Sequence, residues 1–141
     1  MINENQAKIS GKDLSISTKQ SIEIANFIRG KNIQKAKNEL QKVIEKKLAI
    51  PFKRFNRDMG QKKGNIAAGR YPQNAAKEFL NLLNGLEANA QNKGLSTNNL
   101  IIKTIIPNKA SRPWHYGRRR RIKMKRTHIE IIAEEFKENK K

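Results

Sequence analysis

The segment at residues 108–126 most constrains how this chain can fold, because nine of its residues are Lys or Arg and none is acidic. Short β-branched runs at 100–106 and 127–133 flank it, and they predict the two strands of one long hairpin. Neighbouring charges on an extended chain lie about 3.3 Å apart, well inside a Debye length of roughly 8–10 Å, so they repel one another. The segment also lacks apolar residues that would offset the entropy of ordering. We therefore expect its shape to come from a phosphate-rich partner.

The whole chain has the same bias, with 31 Lys and Arg against 12 Asp and Glu and a net charge of +19. This excess predicts a polyanionic partner, which leaves RNA, DNA, anionic membranes and acidic proteins open. A length of 141 residues suits one domain. We expect a body at about 7–106 and 127–135, a basic hairpin at 107–126 (the arm) and a solvated tail at 136–141.

The residue types and their spacing do not favour a catalytic or redox site. The chain has no Cys and two His, and neither its His nor its Asp residues have a spacing that suits a metal site or a base beside a nucleophile. The glycines lack the spacing of phosphate-binding loops. We expect no enzyme activity, no cofactor, no metal and no small-molecule substrate. No apolar run is long enough for a signal peptide or a membrane span, which predicts a soluble, cytoplasmic protein.

Three helices are predicted from apolar periodicity. The first spans about 17–30, with Ser17 and Gln20 as a possible capping box, and the second follows Asn32 and runs to about residue 48. The third begins at Pro72 and ends at Gly94. Gly85 lies inside it, which costs about 1 kcal/mol relative to Ala unless close packing requires it.

The strands complete an α+β fold. Residues 101–106 place apolar side chains on both faces of their strand, which suggests that helices cover one face. Residues 7–15 are a candidate third, edge strand. We expect three helices packed on a small three-stranded antiparallel sheet, with the arm protruding from it.

The arm holds most of the candidate nucleic-acid contacts. Trp114, His115 and Tyr116 lie within its basic run, and flat side chains beside guanidinium groups suit stacking on unpaired bases. Two other interpretations stay open: Trp114 packs on its own hairpin, or the four consecutive Arg form a solvated or nuclear-targeting run. The candidate cations are Lys109, Arg112, Arg118, Arg119, Arg120, Arg121, Lys123, Lys125 and Arg126.

Residues 48–70, the basic loop, form a second cationic region whose only acid is Asp58. A structureless stretch beyond roughly 12–15 residues is unusual in a compact domain, so this loop is either disordered alone or ordered by something outside the chain; we favour the second. Phe52 and Phe55 are candidate anchors to the core, and a merely solvated loop is the alternative. The candidate contacts are Lys53, Arg54, Arg57, Lys62, Lys63 and Arg70, with Arg29 and Lys31 beside the Gly30 turn, where helix-start amides suit a phosphate.

Several blocks in order resemble the universal large-subunit ribosomal protein twenty-two family, in its archaeal and eukaryotic form. They are ISTKQSIEIANFIRGKNIQKAKNEL, PFKRFNRDMGQKKG, AAGRYPQNAAKEFLNLLNGLEANAQNKGL and the Pro-x-x-x-Gly-Arg pattern at Pro113, Gly117 and Arg118 ahead of HIEIIAEE. The PFKRFNRD insertion marks the archaeal or eukaryotic branch and implies added RNA contacts on the body. The compact return arm RRRRIKMKR departs from the family pattern.

The resemblance implies a structural protein that binds large-subunit ribosomal RNA, supports subunit assembly and lies beside neighbouring large-subunit proteins. The body would sit outside the subunit near the polypeptide exit, and the hairpin would run inward through RNA. Its tip would line the nascent-polypeptide tunnel, and carried onto this chain the tip is Asn108, Lys109, Ala110, Ser111 and Arg112.

Two other functions remain possible on the residues alone. In a DNA-binding or chromatin protein, the helix pair at 17–48 would act as a helix-turn-helix, with recognition residues Lys31, Asn32, Gln34 and Lys35. That hypothesis leaves the hairpin unexplained. An anionic-membrane protein needs a basic amphipathic helix, whereas here the basic run lies in a hairpin.

Overall fold

The computed structural model describes residues 5–136. The main sheet is antiparallel with the spatial order β1-β5-β4, and β2 pairs with β3 in a separate two-stranded ribbon. In chain order the elements are β1 (Gln6–Leu14), α1 (Thr18–Ile28), α2 (Ile33–Ile44), β2 (Ile50–Pro51), β3 (Gly69–Arg70), α3 (Gln73–Asn92), β4 (Leu100–Lys109) and β5 (Thr127–Glu135). The predicted α+β class, its three helices and its three-stranded sheet with an edge strand β1 are confirmed.

The helices cover one face of the sheet. Along β5 every second side chain from Thr127 to Ala133 is buried, which is the alternation of a strand covered on one face only. In β4 the pairing register shifts between Ile102 and Thr104, so Ile102 and Ile105 are both buried although they are three positions apart, an odd spacing that would place them on opposite faces of a regular strand. Ile106 lies on the open face and is 40% exposed.

Two helix ends differ from the prediction. Ser17 precedes α1 but its side chain makes no capping bond, so the predicted capping box does not form; instead Ser21 Oγ donates to the Ser17 carbonyl at 2.9 Å. The α2 helix begins as expected, with the Asn32 side chain accepting from Gln34 N at 2.8 Å. It ends at Ile44 and not near residue 48, because Lys46 adopts a left-handed backbone with φ 59°.

Gly85 in α3 is explained by close packing. A Cβ at this position would lie 2.6 Å from Ile9 Cδ1 of β1, so a larger residue would force the end of the Ile9 side chain to move. The contact with β1 therefore offsets the poor helix propensity of glycine.

Candidate nucleic-acid interface

The arm continues the β4–β5 ladder beyond the sheet. Ala110 N donates to the Arg126 carbonyl at 3.2 Å, Met124 N to the Pro113 carbonyl at 2.8 Å and His115 N to the Ile122 carbonyl at 2.9 Å. The expectation that the arm has no means of holding its shape is therefore wrong for its main chain, which forms bonds between its own two halves. Its side chains fit the expectation, since none at residues 111–126 is buried.

The arm reverses direction at residues 116–121. Trp114 and Lys123 face each other across it, and a short 3-10 turn, Gly117–Arg119, begins at a left-handed glycine with φ 65°. Asn108 and Lys109 instead pair with His128 and Thr127 in the regular ladder. The hairpin therefore reverses at residues 116–121, and the predicted tip residues 108–112 lie where the arm leaves the body.

Arg112 links the two halves of the arm. Its Nε donates to the Met124 carbonyl at 2.9 Å, and a terminal nitrogen of the same guanidinium donates to the Lys123 carbonyl at 3.2 Å. This predicted RNA-binding side chain is therefore also a structural clamp, because the rigid fork of an Arg reaches two acceptors at once.

The aromatic residues of the arm differ in their availability. Tyr116 is 85% exposed at the turn and Trp114 is 59% exposed, with the Lys123 ammonium 4.6 Å from the Trp114 ring centroid. His115 is half-buried, and its backbone is bonded across the arm. Trp114 thus packs partly on its own hairpin and still presents ring surface to solvent, whereas His115 presents less.

A buried carboxylate orders the basic loop. Glu23 of α1 is 1% exposed, and it accepts the backbone N–H groups of Lys53, Arg54 and Phe55 at 3.2, 2.8 and 2.8 Å. The buried Phe52 joins the core, as predicted, while Phe55 is only half-buried. The preference for an ordering partner outside the chain is therefore wrong for this part of the loop.

The cations of the loop point outward. No side chain of the six predicted contacts is buried, and β2 and β3 close the loop by pairing Ile50 with Arg70 and Pro51 with Gly69. Within the loop, Lys62 N donates to the Ala67 carbonyl at 3.0 Å. The fold thus presents an ordered basic surface beside the body.

Arg29 and Lys31 have partners inside the body. Arg29 donates to the Ile105 carbonyl at 3.2 Å, while the Lys31 ammonium lies 2.5 Å from the Glu39 carboxylate and 3.6 Å from the Phe27 ring centroid. The turn between α1 and α2 also bonds to β4, with Gly30 N donating to the Ile102 carbonyl. Because these side chains and the Gly30 N–H already have partners, fewer donors at the Gly30 turn are available to a phosphate.

The same contacts weigh against a helix-turn-helix. Of its four recognition candidates, Lys31 is paired with Glu39, Asn32 caps α2, and Gln34 donates to Glu87 at 2.7 Å. Only Lys35 has no described contact of this kind among residues 5–136. The start of α2 therefore presents little to the edges of DNA bases.

The cationic side chains of both basic regions form no ion pair with a carboxylate in the described structure. Within the described residues, the ion pairs between Lys and a carboxylate involve Lys8, Lys31, Lys37, Lys47 and Lys103, and none of these lies in the arm or the basic loop. In the sequence no acid occurs between Glu87 and Glu130. The positive charge of the arm is therefore not neutralised from within the described structure.

A family model described as ribosomal protein L22p/L17e matches residues 9–134. The chain belongs to this family. The match spans the body, the loop and the arm, so it includes every region that the sequence blocks indicated.

Archaeal relatives agree with this assignment. A large ribosomal subunit protein uL22 of Nanoarchaeum equitans is 46% identical, with 96% of this chain and 82% of the relative covered. The protein of the same name from Archaeoglobus fulgidus is 41% identical over 91% of this chain and 87% of its own length. The uL22 protein of Methanococcus aeolicus is 39% identical over 92% of this chain and 90% of its own length.

Family membership makes the chain a structural, non-enzymatic ribosomal protein of the large subunit, with its place on the cytoplasmic ribosome. The predicted family, in its archaeal and eukaryotic form, is thereby confirmed, and the relatives named here are archaeal. None of the helices at residues 5–136 is both long enough and apolar enough to cross a bilayer.

Sequence reasoning missed Glu23. Its only signal in the sequence is that it is the single acid of α1, and its partners lie thirty residues further along the chain. It also missed Lys19, an exposed residue in the first turn of α1 that proves to face the foot of the arm.

Proposed function

We propose that the chain binds large-subunit ribosomal RNA through one surface made by the arm and the basic loop. The observation that carries this proposal is the set of exposed cations in these two regions, eight in the arm beside the half-buried Arg126 and six in the loop, with no carboxylate paired to them in the described structure. Unpaired surface cations attract phosphate at long range and release counterions on contact.

RNA shape, more than base identity, is what such a surface recognises. Lys and Arg contact phosphates, which fix the position of a protein on a nucleic acid without reading its sequence, and side chains do not reach base edges in the deep groove of paired RNA. Trp114 and Tyr116 supply ring surface for a few unpaired bases. The protein thereby holds separate RNA segments together and supports subunit assembly, next to neighbouring large-subunit proteins.

The end of the arm is the part proposed to line the tunnel of the nascent polypeptide. Between Lys109 and the turn the arm extends by up to about 25 Å at 3.3 Å per residue, which carries its end well beyond the sheet. Since the reversal lies at residues 116–121, we expect those residues and not Asn108–Arg112 to meet the nascent chain.

Salt dependence tests the RNA proposal. Affinity for large-subunit RNA should fall by several decades between roughly 50 and 200 mM monovalent salt, because the contacts are made to many phosphates. Duplex DNA added as a competitor should displace little protein, and the protein should co-sediment with the large subunit in a sucrose gradient. A shallow salt dependence or preferential binding to duplex DNA would contradict the proposal.

Crosslinking tests the position of the tip. A photoreactive amino acid at Tyr116 should crosslink to a stalled nascent chain in assembled ribosomes, whereas the same group at Ser111 should crosslink mainly to RNA. The opposite pattern would restore the tip to residues 108–112.

A further inference from the structure

A cleft of about 470 Å³ opens where the arm joins the body. Three segments that are distant in the sequence form it: the first turn of α1, Phe55 of the basic loop and both strands of the arm at its foot. Its size lies in the range of roughly 300–1,000 Å³ that small-molecule sites occupy.

Hydrogen bonds hold the walls of the cleft in place. The buried Thr127 hydroxyl donates to the Ile16 carbonyl at 2.9 Å and lies 2.9 Å from the Thr18 hydroxyl. A hydroxyl has one proton, so Thr18 is the donor to Thr127, and this chain of bonds joins the start of α1 to the foot of the arm. Phe55 is held through its own N–H by Glu23. The cleft is therefore a feature of the folded body.

The walls of the cleft differ chemically. Ile22 and the half-buried ring of Phe55 supply an apolar side, with the Lys19 ammonium 5.7 Å from the ring centroid. Lys109, Arg112 and Lys125 supply cations from the arm. No acid lines the cleft, and the first turn of α1 has no acidic residue either. One wall therefore suits a planar ring, and the other suits an anion.

We propose that this cleft binds one unpaired nucleotide of RNA, with the base stacked on Phe55 and the phosphate between Lys19 and the foot of the arm. The inference rests on the proposed function, because the cleft continues the basic surface of the arm and the loop. A free phosphate would leave the apolar wall unused, whereas a nucleotide contacts both walls. Aromatic rings bind bases of any type, so the site selects unpaired RNA and not a particular base.

Short oligonucleotides test the cleft directly on the full chain. A single-stranded RNA pentanucleotide should bind with a shift of the Phe55 ring protons in NMR spectra. A pentanucleotide backbone that is abasic at all five positions should leave these protons unshifted, and so should inorganic phosphate. Equal shifts from the intact and abasic probes would overturn the proposal and indicate a phosphate-only site.

Substitution of the ring gives the matched comparison. We expect Phe55→Ala to weaken the pentanucleotide complex about tenfold, in line with the loss of one stacked base. Phe55→Tyr keeps the ring and should bind as the wild type does, and Phe136→Ala removes an exposed ring outside the cleft and should have no effect. Phe55→Leu keeps apolar volume without a ring, so it should show the same loss even if Phe55→Ala proves unstable. Full affinity in Phe55→Leu would contradict the inference.

Binding to large-subunit RNA distinguishes failure of the cleft inference from failure of the proposed RNA-binding function. If wild type and Phe55→Leu bind that RNA equally and with steep salt dependence, the cleft inference fails and the RNA-binding proposal stands. If the wild type itself binds that RNA weakly and with a shallow salt dependence, the proposed function fails and the cleft inference fails with it.

Discussion

The basic loop and the arm carry charge of the same sign, yet different groups hold their backbones. In the loop, the buried carboxylate of Glu23 accepts three consecutive N–H groups and Phe52 lies in the core. In the arm, hydrogen bonds run between its own two halves, and no side chain at residues 111–126 is buried. The body supports the loop, whereas the arm is supported mainly by itself.

This difference indicates two ways of ordering a basic segment. Consecutive backbone N–H groups form a natural anion site, and in the loop an internal carboxylate occupies that place. The arm has no internal anion, so further order has to come from the phosphates of its proposed partner. We therefore expect the loop to be ordered in the free chain and the arm to gain order on binding RNA.

The largest expected effect comes from changing Arg118–Arg121 to Ala together. Up to four phosphate contacts disappear, so the affinity for large-subunit RNA should fall on the order of a hundredfold and the salt slope should become shallower by about three. The unfolding temperature should stay close to that of the wild type, because none of these side chains is buried.

The matched control removes four exposed Lys from the body, Lys12, Lys35, Lys42 and Lys77. This control changes the net charge equally and should lose much less affinity. Equal losses in the two variants would show that total charge, and not the arm, governs binding.

Glu23→Gln should break the support of the loop. The amide keeps one acceptor oxygen but turns a donor towards the backbone N–H groups, so we expect a loss of about 1–3 kcal/mol in the free energy of unfolding. Amide hydrogen exchange should accelerate at Lys53, Arg54 and Phe55, while the arm amides stay unchanged. Glu78→Gln in α3 is the control, and unchanged exchange at the loop would contradict the proposed role of Glu23.

Arg112→Lys should loosen the arm alone. Lysine keeps the charge but lacks the fork that reaches the Lys123 and Met124 carbonyls, so a local loss of roughly 0.5–1.5 kcal/mol is expected. Amide exchange should accelerate at His115 and Met124 without a change in unfolding temperature. Arg118→Lys at the turn is the control, and equal exchange in both variants would mean that Arg112 does not clamp the arm.

The smallest effect is expected at the end of the sheet remote from the arm. The hydrogen bond from Lys103, and then its charge, lowers the pKa of Glu134 from its ordinary value of 4.5. The pair therefore stabilises the fold above about pH 4.5, and this contribution disappears as pH falls through the lowered pKa.

Urea unfolding between pH 7 and 3 checks this. In Glu134→Gln the free energy of unfolding should fall slightly less between pH 7 and 3 than in the wild type. The difference is small because the pair is exposed. An unchanged pH profile would show that the pair contributes nothing measurable. The loop and the arm should be unaffected by this substitution, which separates the sheet from both basic regions.

Much of the fold could be predicted from local sequence patterns. The three helices, the sheet with its edge strand and the position of the arm follow from the spacing of apolar residues and from Gly30 and Gly94, which end two of the helices. Exact ends were less accessible: α2 stops early at the left-handed Lys46, and the arm reverses at Gly117 and not near Ser111. Both depend on single backbone conformations that side-chain periodicity does not report.

The sequence predicted which residues of the candidate site are cationic, but not which of them have partners inside the fold. Arg29 and Lys31 have the residue types of phosphate contacts, yet the fold engages them with the β4 edge and with Glu39. A sequence pattern shows which groups are cationic, whereas the packing of distant segments decides which of them stay free.

By itself the sequence determined the charge, the helical and strand segments and the family, because each depends on composition or on spacing along the chain. Only the tertiary structure decided that Glu23 orders the loop, that Gly85 admits Ile9, and that Lys19 and Phe55 meet the foot of the arm. These are contacts between residues far apart in the chain, and they exist only once the sheet and helices have packed.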